Sequence, residues 1–197
     1  MPVNWEKNVL FIHIPKTAGI SVRRWLCMEC LMDGYWHYTA QRLLTDGLLT
    51  QEQMDGLFKF AVVRNPWDRL ISAYFCNFSH AGENWKKFTT YHEYVKDTQR
   101  RIGRFSVAEG LGQQEQHPFI YSYDGKLLVD EVYKFEERDE WITELKKRFG
   151  LGEMFPAENV SHQRDSNDYH DMYPNDELVE IVGKIYKKDI ELFNYTY

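Results

Sequence analysis

Lys16 stands where anion chemistry is easily built. It follows an apolar run of strand-forming residues, Val9-Leu10-Phe11-Ile12-His13-Ile14, and the break at Pro15. Thr17, Ala18 and Gly19 continue a tight turn, and a helical pattern begins at Ile20 and Ser21. A strand, a turn of small residues carrying a lysine, and a helix form an architecture that binds phosphate or sulfate. The turn's N–H groups and the start of the helix face the anion, and the lysine adds a full positive charge.

A second stretch offers the same kind of chemistry. Arg64-Asn65-Pro66-Trp67-Asp68-Arg69-Leu70-Ile71-Ser72 follows another apolar run, residues 57–63. Asn65 suits an N-cap and Pro66 a first helical position. Arg64, Asp68 and Ser72 recur every four residues, so they share one face, while Trp67, Leu70, Ile71, Tyr74 and Phe78 form an apolar one. A guanidinium and a hydroxyl two turns apart could hold a second anion.

These residues require elements to position them. Residues 9–14 and 57–63 read as buried strands, and 127–135 as a third after a hairpin-type turn at Tyr123-Asp124-Gly125-Lys126. Helices are expected over 20–32, from 66, over 84–103, over 136–149 with Gly150 closing it, and from 175 to 193; residues 1–8 read as a polar lead-in. Strands alternating with helices indicate an α/β class with a parallel sheet. Ligands bind such sheets at the carboxyl ends of the strands, which places Lys16 and Arg64 at one edge.

The totals fit this reading. A chain of 197 residues, 43% hydrophobic and 16% aromatic, is expected to form a single globular domain over residues 1–197. A net charge of −6 argues against broad nucleic-acid binding, so an anion must be held by local cations. The first apolar run is too short for a signal peptide and no stretch approaches a bilayer span. Three cysteines, an odd number, point to reduced thiols and a cytoplasmic location. Cys27-Met28-Glu29-Cys30, without a second pair or a nearby His, reads as two small helix residues, and no metal is expected.

The two motifs in this order resemble PAPS-dependent sulfotransferases. Residues 13–21 are similar to the loop that holds the 5′-phosphosulfate, and Arg64 through Tyr74 to the 3′-phosphate motif. The nearest group contains the heparan sulfate 2-O-sulfotransferases and short bacterial and viral carbohydrate sulfotransferase homologues. His37 with Thr39-Ala40, residues 129–136 and Asp189-Ile190-Glu191-Leu192-Phe193 extend the likeness. The resemblance implies a P-loop-NTPase-like three-layer fold, a central parallel sheet flanked by helices. It implies 3′-phosphoadenosine 5′-phosphosulfate (PAPS) as donor and a hydroxyl acceptor, with a carbohydrate expected. Pro15, Lys16, Thr17, Ala18, Gly19, Ile20 and Ser21 would hold the phosphosulfate, Arg64 and Ser72 the 3′-phosphate, and Arg164 in the 161–164 loop would close over the donor. Lys16 would stabilise the leaving phosphate, and His37 matches the general base.

Other readings stay open at this stage. His117 and His162, or Glu83, Glu115 and Glu136, are alternative bases, and His13 reads as packing within its strand. A nucleotide-dependent small-molecule kinase is the second function, because Leu127-Leu128-Val129-Asp130-Glu131 resembles a Walker B strand. Against it, the loop is not G-x-x-x-x-G-K-[ST]. A catalytically inactive glycan-binding protein of the same fold is the third.

Overall fold

The computed structural model describes residues 2–30, 37–79, 90–103, 112–152, 154–156 and 168–197. In chain order the elements are β1 (Pro2–Asn4), β2 (Val9–Ile12), α1 (Gly19–Trp25), β3 (Glu29–Cys30), α2 (Ala40–Thr45), α3 (Gln51–Gly56), β4 (Phe58–Val63), α4 (Pro66–Ser79) and α5 (Tyr91–Arg101). There follow α6 (His117–Ile120), β5 (Glu131–Lys134), α7 (Arg138–Phe149), α8 (Asp176–Ile185) and α9 (Lys187–Phe193). The chain divides into two compact units, Met1–Val63 with Gln116–Asn159, and Arg64–Glu115 with Val160–Tyr197.

The first unit carries the whole five-stranded sheet, in the order β3-β1-β2-β4-β5. β2, β4 and β5 run parallel, with Val9 opposite Phe58 and Phe60 opposite Glu131. The fold is α/β with helices flanking this sheet, as expected, but the sheet is not wholly parallel. β1 joins β2 antiparallel and β3 joins β1 antiparallel, so the lead-in at residues 1–8 contains a strand, Pro2–Asn4. Asn4 fixes that ribbon: its side-chain amide donates to the Leu26 carbonyl at 2.8 Å, and its oxygen accepts from the Lys7 N–H.

Every residue of β2 is fully buried, as a central parallel strand requires. One sheet face, through Val9, Phe11, Phe60 and Val62, packs against Val22, Trp25 and Leu26 and against Trp141 and Leu145 of α7. The alternate residues Leu10, Ile12, Ala61 and Val63 are equally sealed. The helix expected over 20–32 stops at Trp25. Cys27 takes a left-handed φ of 49°, and Glu29 and Cys30 leave to pair with β1. Cys27 and Cys30 therefore do not share a helix. The third strand is shorter than the expected 127–135: Leu127 bridges Tyr121 across the Gly125 turn, and the ladder begins at Glu131. α7 ends at Gly150 in the left-handed conformation, the expected closure.

The second unit is helical. Trp67, Leu70, Ile71 and Tyr74 of α4 pack with Tyr91, Tyr94 and Val95 of α5 and with Leu178, Ile181, Val182 and Ile185 of α8. Inside this core Tyr91 donates to the Tyr173 hydroxyl at 2.6 Å, and Tyr173 donates to the Trp67 carbonyl. Thr90 caps α5 through a reciprocal box with Glu93, so the described helix begins at 91; the expected start at 84 lies outside the described residues. The last helix is broken in two. Tyr186 leaves helical geometry, buries its ring below the Arg69 guanidinium, and donates its hydroxyl to the Gln113 carbonyl at 2.8 Å.

Among the described residues no helix is long and apolar enough to cross a membrane. Among the described residues of the first unit Trp141 is the largest sealed side chain, and its indole donates to the Lys134 carbonyl at 3.0 Å. Trp141→Ala is expected to cost about 3–5 kcal/mol, read as a lower denaturation midpoint in urea. An unchanged midpoint would show that α7 is not held through this ring.

Candidate active site

β2 ends at Ile12, not at Ile14, because the chain turns at once. The Ile14 N–H donates to the Ile12 carbonyl at 3.0 Å. Thr17 is fully buried, and its hydroxyl donates to the Ile14 carbonyl at 2.9 Å. Its side chain thus braces the turn, and what it offers a ligand is its backbone. Lys16 and Ala18, on either side, both hold left-handed φ values of 70° and 62°. Such values are uncommon outside glycine and cost of order 1 kcal/mol each, so the surrounding contacts must impose them. Pro15 is buried, Lys16 half-buried, and α1 starts at Gly19 with Ile20 half-buried and Ser21 buried. The expected phosphosulfate residues thus form one continuous turn at the carboxyl end of β2.

His13, expected to pack within its strand, lies just beyond the end of β2 at Ile12. Its ring occupies the space where a Cβ on Gly19 would stand, 1.8 Å from the imidazole Cδ2 and Nε2. Gly19 is required for that space and not for a special φ. His13 also stacks beside Phe11, with ring centres 5.5 Å apart. The only hint in the sequence was a glycine at the first helical position, where alanine forms helix better.

His37 joins the site through the same residue. Its Nδ1 lies 2.9 Å from the His13 carbonyl, and the two rings are 4.3 Å apart. The next residues pin it: Tyr38 is buried under the Arg42 guanidinium, and Thr39 caps α2 by accepting the Arg42 N–H. A carbonyl only accepts, so Nδ1 carries the proton and Nε2 keeps the lone pair. Burial holds His37 below the ordinary imidazole range, and the positive charges of the N-terminal amine, Lys16 and Arg23 act in the same direction. Burial pushes His13 well below that range, helped by His37 and by the same cations.

The other expected anion contact belongs to the second unit. Asn65 caps α4, accepting the Trp67 N–H at 3.0 Å, and donates to the Thr196 carbonyl at 2.9 Å. Arg64 is ion-paired to Asp68, with Nε at 2.8 Å and Nη2 at 2.7 Å from the same carboxylate oxygen. Both are largely buried, so the carboxylate holds the guanidinium in a fixed orientation. Ser72 is half-buried two turns further along α4. Val63, just before Arg64, ends β4 beside the end of β2 in parallel register.

Among the alternative bases, His117 is buried in α6, Glu115 belongs to the second unit, and Glu136 is exposed after β5. Glu83, His162 and Arg164 lie outside the described residues. The Walker B likeness fails on position. Asp130 precedes β5, at the amino end of the strand, where it accepts from the Lys59 N–H at 2.7 Å and pairs with its ammonium at 3.0 Å. A metal-holding carboxylate of a kinase would stand at the opposite, carboxyl edge. Among the described residues no three His, Cys, Asp or Glu side chains converge as a metal-ligand set.

The first unit is thus an α/β unit whose central strands run parallel, with a lysine turn at the carboxyl end of β2. The sequence matches the model of the sulfotransferase family over residues 2–196, and the chain belongs to that family, enzymes that move a sulfonate group from a donor to an acceptor hydroxyl. No curated protein and no solved structure matches it.

Two outcomes follow from the His13 packing. Gly19→Ala is expected to destabilise by about 1–3 kcal/mol through overpacking against the imidazole; an unchanged melting temperature would contradict the contact. Both histidines bind protons less readily in the folded chain than in the unfolded one, where the ordinary value is 6.5. Below that pH the unfolded chain binds more protons, so stability falls as pH drops through it and is unaffected above it. Melting curves between about pH 5 and pH 8 should show this loss, and His13→Gln should make it shallower.

Proposed function

We propose that the chain transfers the sulfonate of PAPS to a hydroxyl of a carbohydrate acceptor. The family supplies sulfonate transfer. The observation that carries the finer reading is the turn at residues 15–21, with Lys16 and Ala18 held left-handed at the end of a sealed strand. Such a turn aims backbone N–H groups outward and sets an ammonium beside them.

In this reading the acceptor oxygen attacks sulfur in line while the bond from sulfur to the bridging phosphate oxygen breaks. Charge builds on the leaving 5′-phosphate, as in phosphoryl transfer. The N–H groups of residues 16–21 and the Lys16 ammonium stabilise that charge most strongly in the transition state. His37 receives the acceptor's proton at Nε2, because the His13 carbonyl occupies Nδ1–H. Burial keeps this imidazole neutral and able to accept. Arg64, oriented by Asp68, binds the donor's 3′-phosphate with Ser72, and Arg164 contributes from its loop. The whole chain acts as one sulfotransferase domain.

Transfer of labelled sulfate from PAPS to a panel of carbohydrate acceptors tests the reaction; labelling that appears only from ATP with Mg²⁺ would replace it with the kinase. Lys16→Ala is expected to lower kcat by about 10²–10³-fold with the melting temperature kept. Arg64→Ala should weaken adenosine 3′,5′-bisphosphate binding about 10–100-fold by calorimetry, and unchanged affinity would remove Arg64 from the donor site. His37→Ala should lower kcat by about 10²–10⁴-fold. In the wild type the acid limb of kcat/KM should lie below 6.5, since the base works only when neutral and its affinity for protons is depressed.

A further inference from the structure

We infer that His13 is the positioning residue of the base: its carbonyl fixes the His37 tautomer, and its imidazole, seated on Gly19, couples that base to the donor turn. The inference rests on the reading of His37 as the base.

Three observations carry it. The His37 Nδ1 has the His13 carbonyl at 2.9 Å, so the ring's orientation is set from residue 13. The His13 imidazole lies 4.3 Å from the His37 ring on one side and fills the Cβ space of Gly19 on another. The same side chain therefore touches the base and the first residue of α1. Finally, His13 is only 6% exposed, and its Nδ1 makes no hydrogen bond. A buried nitrogen without a partner is destabilising. A leucine or methionine would fill a purely structural site without an unpaired nitrogen, whereas this imidazole stands against the His37 ring.

The groups around the pair explain why its protonation is sensitive to this packing. Lys16 on the turn, Arg23 on α1 and the N-terminal amine all oppose a charge on either ring, and burial opposes it most. The hydrogen bond to the His13 carbonyl acts the other way and raises the His37 affinity for a proton. Removing the His13 ring admits water beside His37, while the backbone carbonyl that holds Nδ1–H stays.

The test compares His13→Ala and His13→Gln with the wild type. In His13→Ala the acid limb of kcat/KM is expected to move up toward 6.5, the ordinary histidine value, with a roughly tenfold or greater loss of kcat. His13→Gln, which refills much of the space, is expected to recover part of both. An acid limb left where it is in His13→Ala would overturn the inference, because a merely structural residue lowers the amount of folded enzyme without moving that limb. If His13→Ala does not fold, ¹⁵N spectra of the wild-type histidines decide: a single Nδ1–H tautomer at His37 supports the inference and a mixture overturns it. His37→Ala separates the two readings. Near-normal turnover in that variant removes His37 as base, whatever the His13 variants do.

Discussion

β2 is paired along both edges and sealed on both faces, so the only backbone it can offer a ligand lies at its ends. At the carboxyl end the chain turns within two residues, and everything proposed for catalysis in the first unit hangs on that turn. Thr17 is drawn inward to brace Ile14, which leaves Lys16 and Ala18 to absorb the left-handed backbone. Gly19 then admits the His13 ring, and the His13 carbonyl receives His37. A single steric condition, the missing Cβ at residue 19, lets the strand end, the turn and the base pack together.

The elements with strong local signals were legible in the sequence. The sealed strands, the Asn65–Pro66 helix start and the Gly150 stop each depend on residues within a turn of one another. What escaped depends on partners far along the chain. Pro2-Val3-Asn4 has no alternating pattern of its own and becomes a strand because Asn4 binds the Leu26 carbonyl and Glu29 pairs with Val3. The periodicity of Val22, Leu26 and Cys30 continued past the helix, since Cys27 could reverse its backbone without a glycine. Tyr186 sits in a helical pattern, yet the burial of its ring with Arg69 breaks the helix there.

The candidate site was legible in its residue types and incompletely in its connections. Spacing assigned Lys16 and Arg64 to strand ends, and resemblance supplied His37. Neither could show how His13 packs, because its contacts include Gly19, six residues on, and a ring 24 residues away. The Arg64–Asp68 pair was visible as an i, i+4 spacing and was the ordinary reading of that face. Both contacts to Asp68 use one edge of the guanidinium, through Nε and Nη2.

The chain's net charge of −6 makes local placement decisive. Long-range attraction cannot gather an anionic donor to a protein that is itself acidic, and at physiological salt charges are screened beyond about 8 Å. Binding must therefore come from short contacts at preset positions. In the proposed reading, the first unit would supply them through Lys16 on its left-handed turn, and the second through Arg64 held against Asp68. Burial first, and then Lys16 with Arg23 and the N-terminal amine, keep both histidines neutral. A base that must accept a proton beside a transferable anion gains from that environment, because the positive field that stabilises the leaving group also keeps the imidazole lone pair available before the transfer begins.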